Sequence, residues 1–172
     1  TALLAFEELE RLGLVPGNVI VAGHSVGELA AAAMAGVIST DEAVGLAAIR
    51  GREMAKACAL EPTGMSAVLG GAEDEVLTRL EELDLTPANI NAAGQIVAAG
   101  RLDALAALAA DAPAKARVRA LPVAGAFHTR FMAPAQDAVA AAAAKIAPSD
   151  PTRTLLSNFD GAPVTSGAEA LE

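Results

Sequence analysis

One cysteine, Cys58, is all the thiol chemistry the sequence holds, so no internal disulfide can form and a reducing cytoplasm is the expected compartment. Positive charge is also scarce. Twelve Lys and Arg stand against 21 Asp and Glu, a formal charge of −9, which argues against nucleic acid as a partner. Charged residues make up only 19% and hydrophobic ones 53%, a balance that excludes a disordered chain. Long apolar runs are missing as well. The alanine stretch at 138–144 is too short and too weakly apolar to cross a membrane, and no basic-then-apolar leader opens the chain. Two histidines and one cysteine without ligand spacing leave no expected metal site. No Walker-type glycine loop and no internal repeat is present. The chain opens at Thr1 inside a helical pattern and closes in another, as expected of a piece of a longer protein.

What is present is patterned. Leu3, Leu4, Phe6, Leu9 and Leu12 recur at helical spacing up to Gly13. The apolar run 19–22 predicts a buried parallel strand. An alanine-rich helix follows, ending near Gly36, its alanines read as composition bias. Ser39 and Glu42 form a capping-box pattern that starts a helix running to about Ala59. The order then changes to strand 65–69, helix 74–83, strand 88–91, strand 95–99, helix 101–110 and strand 117–121. That β-α-β-β-α-β sequence is the split, ferredoxin-like order. The predicted fold is α/β: an α/β-hydrolase-like core with a parallel sheet, residues 1–60 and 122–172, carrying a ferredoxin-like insert at 61–121. A helix from about 134 to 147 and a strand at 154–157 close the chain.

Gly23-His24-Ser25-Val26-Gly27 matches G-x-S-x-G between an apolar strand and a helix. Such a serine sits on a sharp turn where side chains at both flanking glycines are expected to collide with backbone. The helix that starts there offers free N–H groups to a developing oxyanion, and the amide of Val26 is the natural donor. A serine needs a base. His24 adjoins Ser25 on the tight turn and should point elsewhere. That leaves His128, in the small-residue loop Ala124-Gly125-Ala126-Phe127-His128-Thr129, as the candidate. No Asp can be assigned as its orienting partner; a carbonyl or an amide could serve. Arg50 falls on one helical stripe with Ala43, Leu46, Ala47, Met54 and Ala57, opposite Arg52 and Lys56. An arginine on an apolar stripe needs a partner, either a substrate carboxylate or a structural Asp or Glu.

These residues resemble a known family. Gly23-His24-Ser25-Val26-Gly27-Glu28 is similar to the G-H-S-x-G-E signature of malonyl-CoA:acyl-carrier-protein transacylases and related acyltransferase domains. Ile49-Arg50-Gly51 resembles the family's R-G segment. Asn89-Ile90-Asn91 through Gln95 and Val97 resembles its N-x-N-x-x-x-Q-x-V stretch. Gly125-Ala126-Phe127-His128-Thr129 followed by Met132-Ala133-Pro134 resembles its histidine segment. The resemblance implies a ping-pong transfer of malonyl from malonyl-CoA to the thiol of acyl carrier protein, with Ser25 as nucleophile, His128 as base and Arg50 as carboxylate clamp. It implies no permanently bound cofactor, a carbonyl-oriented histidine, and Phe127 as a malonyl-selective ring. It also puts His24, Met54 and Asn91, which lie in or beside these segments, among the substrate-binding residues. The family's upstream G-Q-G segment and C-terminal strand region have no counterpart here, so uncovered sheet edges prone to association are expected.

Other readings differ in class. A serine esterase of the α/β-hydrolase type shares the elbow but needs an acid between serine and histidine and has no use for Arg50. A polyketide or type I synthase acyltransferase domain is a closer alternative, which the neighbouring chain segments would decide. A carrier-docking module without catalysis would not need Ser25 and His128. For an acidic carrier protein, the candidate docking surfaces are Arg52 with Lys56, or the row Lys115, Arg117 and Arg119, expected to alternate onto one strand face.

Overall fold

The computed structural model of the chain describes residues 1–92 and 94–171, folded as two units, Thr1–Gly51 with Ala138–Glu172 and Arg52–Asp137. Two helices run from one unit into the other: α3 (Thr40–Cys58) and α6 (Ala133–Ala143). Among the described residues no helix is long and apolar enough to cross a membrane.

The first unit also holds α1 (Ala2–Arg11), β1 (Ile20–Ala22), α2 (Gly27–Met34) and β6 (Thr154–Leu156). β1 and β6 pair in parallel, Val21 opposite Leu155, and these two residues sit in the core with Ala31, Ala35, Val37 and Leu46. The alanines expected to be mere composition bias are core residues. Ala31 and Ala35 are almost fully enclosed, because a helix with methyl side chains can lie close to its neighbours. The β6 end of the sheet is tied to the end of α2: the Thr152 amide and hydroxyl both donate to Ala35 O, at 2.8 and 3.0 Å. The capping box forms as read, with Ser39 N–H on Glu42 Oε2 at 2.8 Å and Glu42 N–H on Ser39 Oγ at 3.2 Å. The expectation of a fully buried strand at 19–22 is corrected. Only Val21 is buried and Ile20 is 62% exposed. Successive residues of a strand face opposite ways, and only one face of β1 meets this unit's core.

The second unit holds β2 (Thr63–Gly70), α4 (Glu73–Glu82), β3 (Thr86–Ala92), β4 (Gln95–Arg101), α5 (Leu102–Ala110) and β5 (Ala116–Ala120). All pairings are antiparallel and the strand order is β3-β4-β2-β5. Alternation along the central strands sorts the core into two layers. Val68, Ile96 and Ala98 face the helices and pack with Val76, Leu80, Leu105 and Leu108. Met65, Val97 and Ala99 face the other way, against Ala126 with Phe127 and Phe131. Strands covered on both faces explain why β2 and β4 read as nearly continuous apolar runs. The expected row of three cations is corrected: Lys115 precedes β5 in a left-handed turn with φ 61°, so only Arg117 and Arg119 lie on the exposed strand face. The carbonyl of Lys115 passes within 2.7 Å of where a Cβ on Gly70 would stand, a close crossing that glycine at 70 permits.

Candidate active site

The turn from β1 into α2 places Ser25. Its backbone is left-handed, φ 57°, a conformation a residue with a Cβ adopts only under constraint. Two short bonds supply part of that constraint: Gly27 N–H to His24 O at 2.9 Å and Glu28 N–H to Ser25 O at 3.1 Å. The amide of Val26, half exposed at the N-cap of α2, is not a donor in either turn. It stands next to the serine at the positive end of a helix dipole, where an anionic oxygen is favoured.

The two glycines of the motif differ, contrary to the expectation that both guard against backbone collision. A Cβ on Gly23 would lie 2.1 Å from Gly27 O and 2.5 Å from Glu28 N. At Gly27 nothing comes within 4 Å, because its side-chain direction leaves the helix start for open space. Gly23→Ala is therefore expected to cost about 1–3 kcal/mol by overpacking. Gly27→Ala should leave the midpoint of thermal unfolding unchanged or raise it, since Ala is favoured over Gly in a helix by up to about 1 kcal/mol. Thermal melts of the two variants check this, and equal losses would contradict it.

Arg50 reaches the same point from α3. Its Nη2 donates to Ser25 Oγ at 2.8 Å. The stripe read from the sequence is borne out: Ala43, Leu46 and Ala57 are buried, Ala47, Arg50 and Met54 half-buried, Arg52 and Lys56 exposed. No ion pair of Arg50 with a carboxylate is found among the described residues; its hydrogen-bond partner is the serine hydroxyl, and the Glu28 carboxyl is near enough to feel its charge. Glu28 lies in the first turn of α2 and accepts a hydrogen bond from Asn158 Nδ2 at 3.3 Å. Partial burial pushes the Glu28 carboxyl above its ordinary value, against the charges of His24 and Arg50 and the Asn158 bond, which pull it down. With Gly23, Leu155 and Phe159, Glu28 and Asn158 line a cavity of about 210 Å³. Asn158 escaped the sequence reading because nothing local marks a contact spanning 130 residues.

His128 belongs to the second unit, as do Phe127, Met54 and Asn91. His128 is exposed, and its backbone is also left-handed, φ 59°. The loop around it is held by polar side chains. Ala126 N–H donates to the buried Thr63 hydroxyl at 3.1 Å, and Thr129 Oγ1 donates to Ala126 O at 2.6 Å. A Cβ on Gly125 would lie 2.4 Å from Cys58 Sγ, so any larger residue there would have to displace the Cys58 side chain. Phe127 is half-buried against the Met65–Val97 layer; Asn91 is exposed on β3 and His24 on the elbow. The structure thus gathers Ser25, Val26, Arg50 and His24 in one unit, and sets Phe127 and His128 side by side in the other.

Known proteins resemble this chain over nearly its whole length. The acyl transferase domain family matches residues 2–167. The chain is 73% identical over 171 residues to the malonyl CoA-acyl carrier protein transacylase of Mycobacterium tuberculosis, covering 99% of this chain and 57% of that one. It is 68% identical to the protein of the same name from Mycolicibacterium smegmatis, over 99% of this chain and 59% of the relative. The crystal structure of MCAT from Mycobacterium tuberculosis superposes with a TM-score of 0.94 at 73% identity, covering 99% of this chain and 57% of that chain. The chain therefore spans little more than half the length of the curated relatives it matches.

Proposed function

This chain belongs to the acyl transferase domain family, and from that premise we propose that it carries the malonyl-transfer chemistry of a malonyl-CoA:acyl-carrier-protein transacylase serving fatty acid synthesis. The observation that carries the proposal is the 2.8 Å contact between Arg50 and Ser25 Oγ. A fixed cation at the nucleophile suits an acyl group that ends in a carboxylate, which a guanidinium can hold by two parallel hydrogen bonds. An esterase acting on uncharged esters gains nothing from it. An acyltransferase domain of a polyketide or type I synthase would use the same residues, and the 73% identity to a transacylase favours the first reading.

In this reading Ser25 Oγ attacks the thioester carbonyl while His128 takes the hydroxyl proton. The Val26 amide donates to the oxyanion. Collapse breaks the carbon–sulfur bond, and His128 returns the proton to the leaving thiolate, leaving malonyl-Ser25 and free coenzyme A. The phosphopantetheine thiol of acyl carrier protein then repeats the steps in reverse and restores the serine. Arg50 holds the malonyl carboxylate throughout. His24, Met54 and Asn91 complete the substrate surface, and no resident cofactor enters the scheme. The strand order of the second unit supports a ferredoxin-like subdomain at 61–121. The strand–elbow–helix of the first supports an α/β-hydrolase-like core formed by 1–60 and 122–172. The lone thiol of Cys58 fits a cytoplasmic setting.

The test is intact-mass measurement of the full-length protein mixed with malonyl-CoA. A single malonyl adduct is expected, discharged on adding acyl carrier protein. Absence of the adduct, or an adduct that the carrier does not remove, would overturn the proposal. A second measurement concerns the acyl group. Phe127→Ser removes a ring beside the base and should raise the rate with methylmalonyl-CoA relative to malonyl-CoA by about tenfold, the worth of one methyl-sized restriction in a pocket. An unchanged ratio would place the steric filter elsewhere.

A further inference from the structure

We propose that Arg130 and Asp84 are positioning residues for His128, a charged fork that sets the rotation of the turn on which the histidine stands. The inference rests on the reading of His128 as the base, and deepens it.

A histidine with positive φ persists only where its surroundings enforce it. On its N-terminal side the loop is fastened to the rest of the unit, by Gly125 passing under Cys58 and by the Ala126 amide on Thr63. On its C-terminal side, the Thr129 hydroxyl bonds, among the described residues, to Ala126 O and the Phe131 amide, so those contacts travel with the loop. Phe131 and Met132 seat apolar side chains in the core, which fixes depth but not direction. Arg130 is the polar side chain that ties this half of the turn to a separate element. Its Nη1 donates to Asp84 Oδ1 at 3.0 Å, and its Nη2 to Oδ2, so both carboxylate oxygens are engaged. The same guanidinium lies over the Phe131 ring, 5.1 Å from its centre. A planar fork of this kind is directional where a single point charge is not.

Asp84 is a firm anchor. It stands at the corner between α4 and β3 with φ 55°. Its amide closes on Glu81 O at 3.0 Å, and the next amide, Leu85, closes on Leu80 O at 2.8 Å. Leu80 and Leu85 are both buried in the helix-side layer. The hydrogen bond from Arg130 holds the Asp84 carboxyl below its ordinary value, so the fork stays charged at neutral pH. Both side chains are more than half exposed, and exposed pairs add little to stability. That separates the two consequences of breaking the fork: folding should survive, while the histidine turn loses its direction.

The experiment uses the full-length protein and stopped-time acylation of Ser25 by malonyl-CoA. Asp84→Asn and Arg130→Leu should each lower kcat about three- to fivefold, with KM for malonyl-CoA within twofold and the midpoint of thermal unfolding nearly unchanged. Asp84→Glu, which keeps the charge, should recover part of the loss. A kcat for Asp84→Asn within twofold of the parent would overturn the proposal. So would a loss that appears in KM or follows the thermal midpoint, because a merely structural pair would behave that way. His128→Ala in the same assay keeps the two readings apart. If it acylates at the parent rate, the base assignment fails; if it is inactive while Asp84→Asn is normal, only the fork fails.

Discussion

Replacing Ser25 with alanine is expected to remove the malonyl adduct altogether and to lower transfer to acyl carrier protein by at least about 10⁴-fold, the scale seen when a catalytic nucleophile is deleted. The size follows from the chemistry. Without Oγ there is no atom to carry the acyl group between two thiols, and the remaining groups can only assist direct thiol exchange. The elbow should survive the change, because the left-handed turn at φ 57° is closed by backbone bonds from Gly27 and Glu28 and not by the hydroxyl. The change also removes the Arg50 contact to Oγ. Mass spectrometry of the variant after exposure to malonyl-CoA reads the adduct, and circular dichroism checks the fold. A full adduct on the alanine variant would mean that another residue is the nucleophile.

Replacing Arg50 with alanine is expected to change selectivity rather than abolish chemistry. Hydrogen bonds to a charged partner are worth about 1.5–3 kcal/mol, so the preference for malonyl over acetyl should fall by roughly ten- to a hundredfold. The acetyl reaction has no carboxylate to lose and should hold its rate or gain, since the hydroxyl is freed from its 2.8 Å contact with the guanidinium. Lysine at this position should recover only part of the preference, because a point charge cannot match both carboxylate oxygens. Parallel loss of both acyl transfers would make Arg50 a structural residue. The measurement is kcat/KM for malonyl-CoA and acetyl-CoA on the same preparations.

Much of this site is legible in the linear order of residues, and the reason is local. Gly23 is demanded by a turn whose backbone passes 2.1 Å from its missing Cβ, and the motif that carries it is five residues long. The helix of Arg50 is written in the stripe Ala43, Leu46, Ala47, Met54 and Ala57, and its start in the Ser39–Glu42 box. The alternation of β2 and β4 and the apolar spacing of α4 and α5 define the second unit from within one continuous stretch. Periods of 3.6 and 2 need only neighbours along the chain.

The rest depended on chain segments returning from far away. The sequence determined that Arg50 is half-buried and in need of a partner; the tertiary structure decided that the partner is Ser25 Oγ, 25 residues earlier. It determined that His128 lies on a small-residue loop. Only the fold brought Thr63 beneath that loop and Asp84 alongside it, across 63 and 46 residues. The identity of neither Thr63 nor Asp84 predicts such a contact, since a hydroxyl or a carboxylate is equally at home in water. Ile20 shows the same division on the apolar side. Its strand is predicted by its own side chain, but which face of that strand is covered depends on what packs against it, and Ile20 stays 62% exposed while Val21 is buried. Local sterics and spacing are properties of the chain; burial and pairing at a distance are properties of the folded whole.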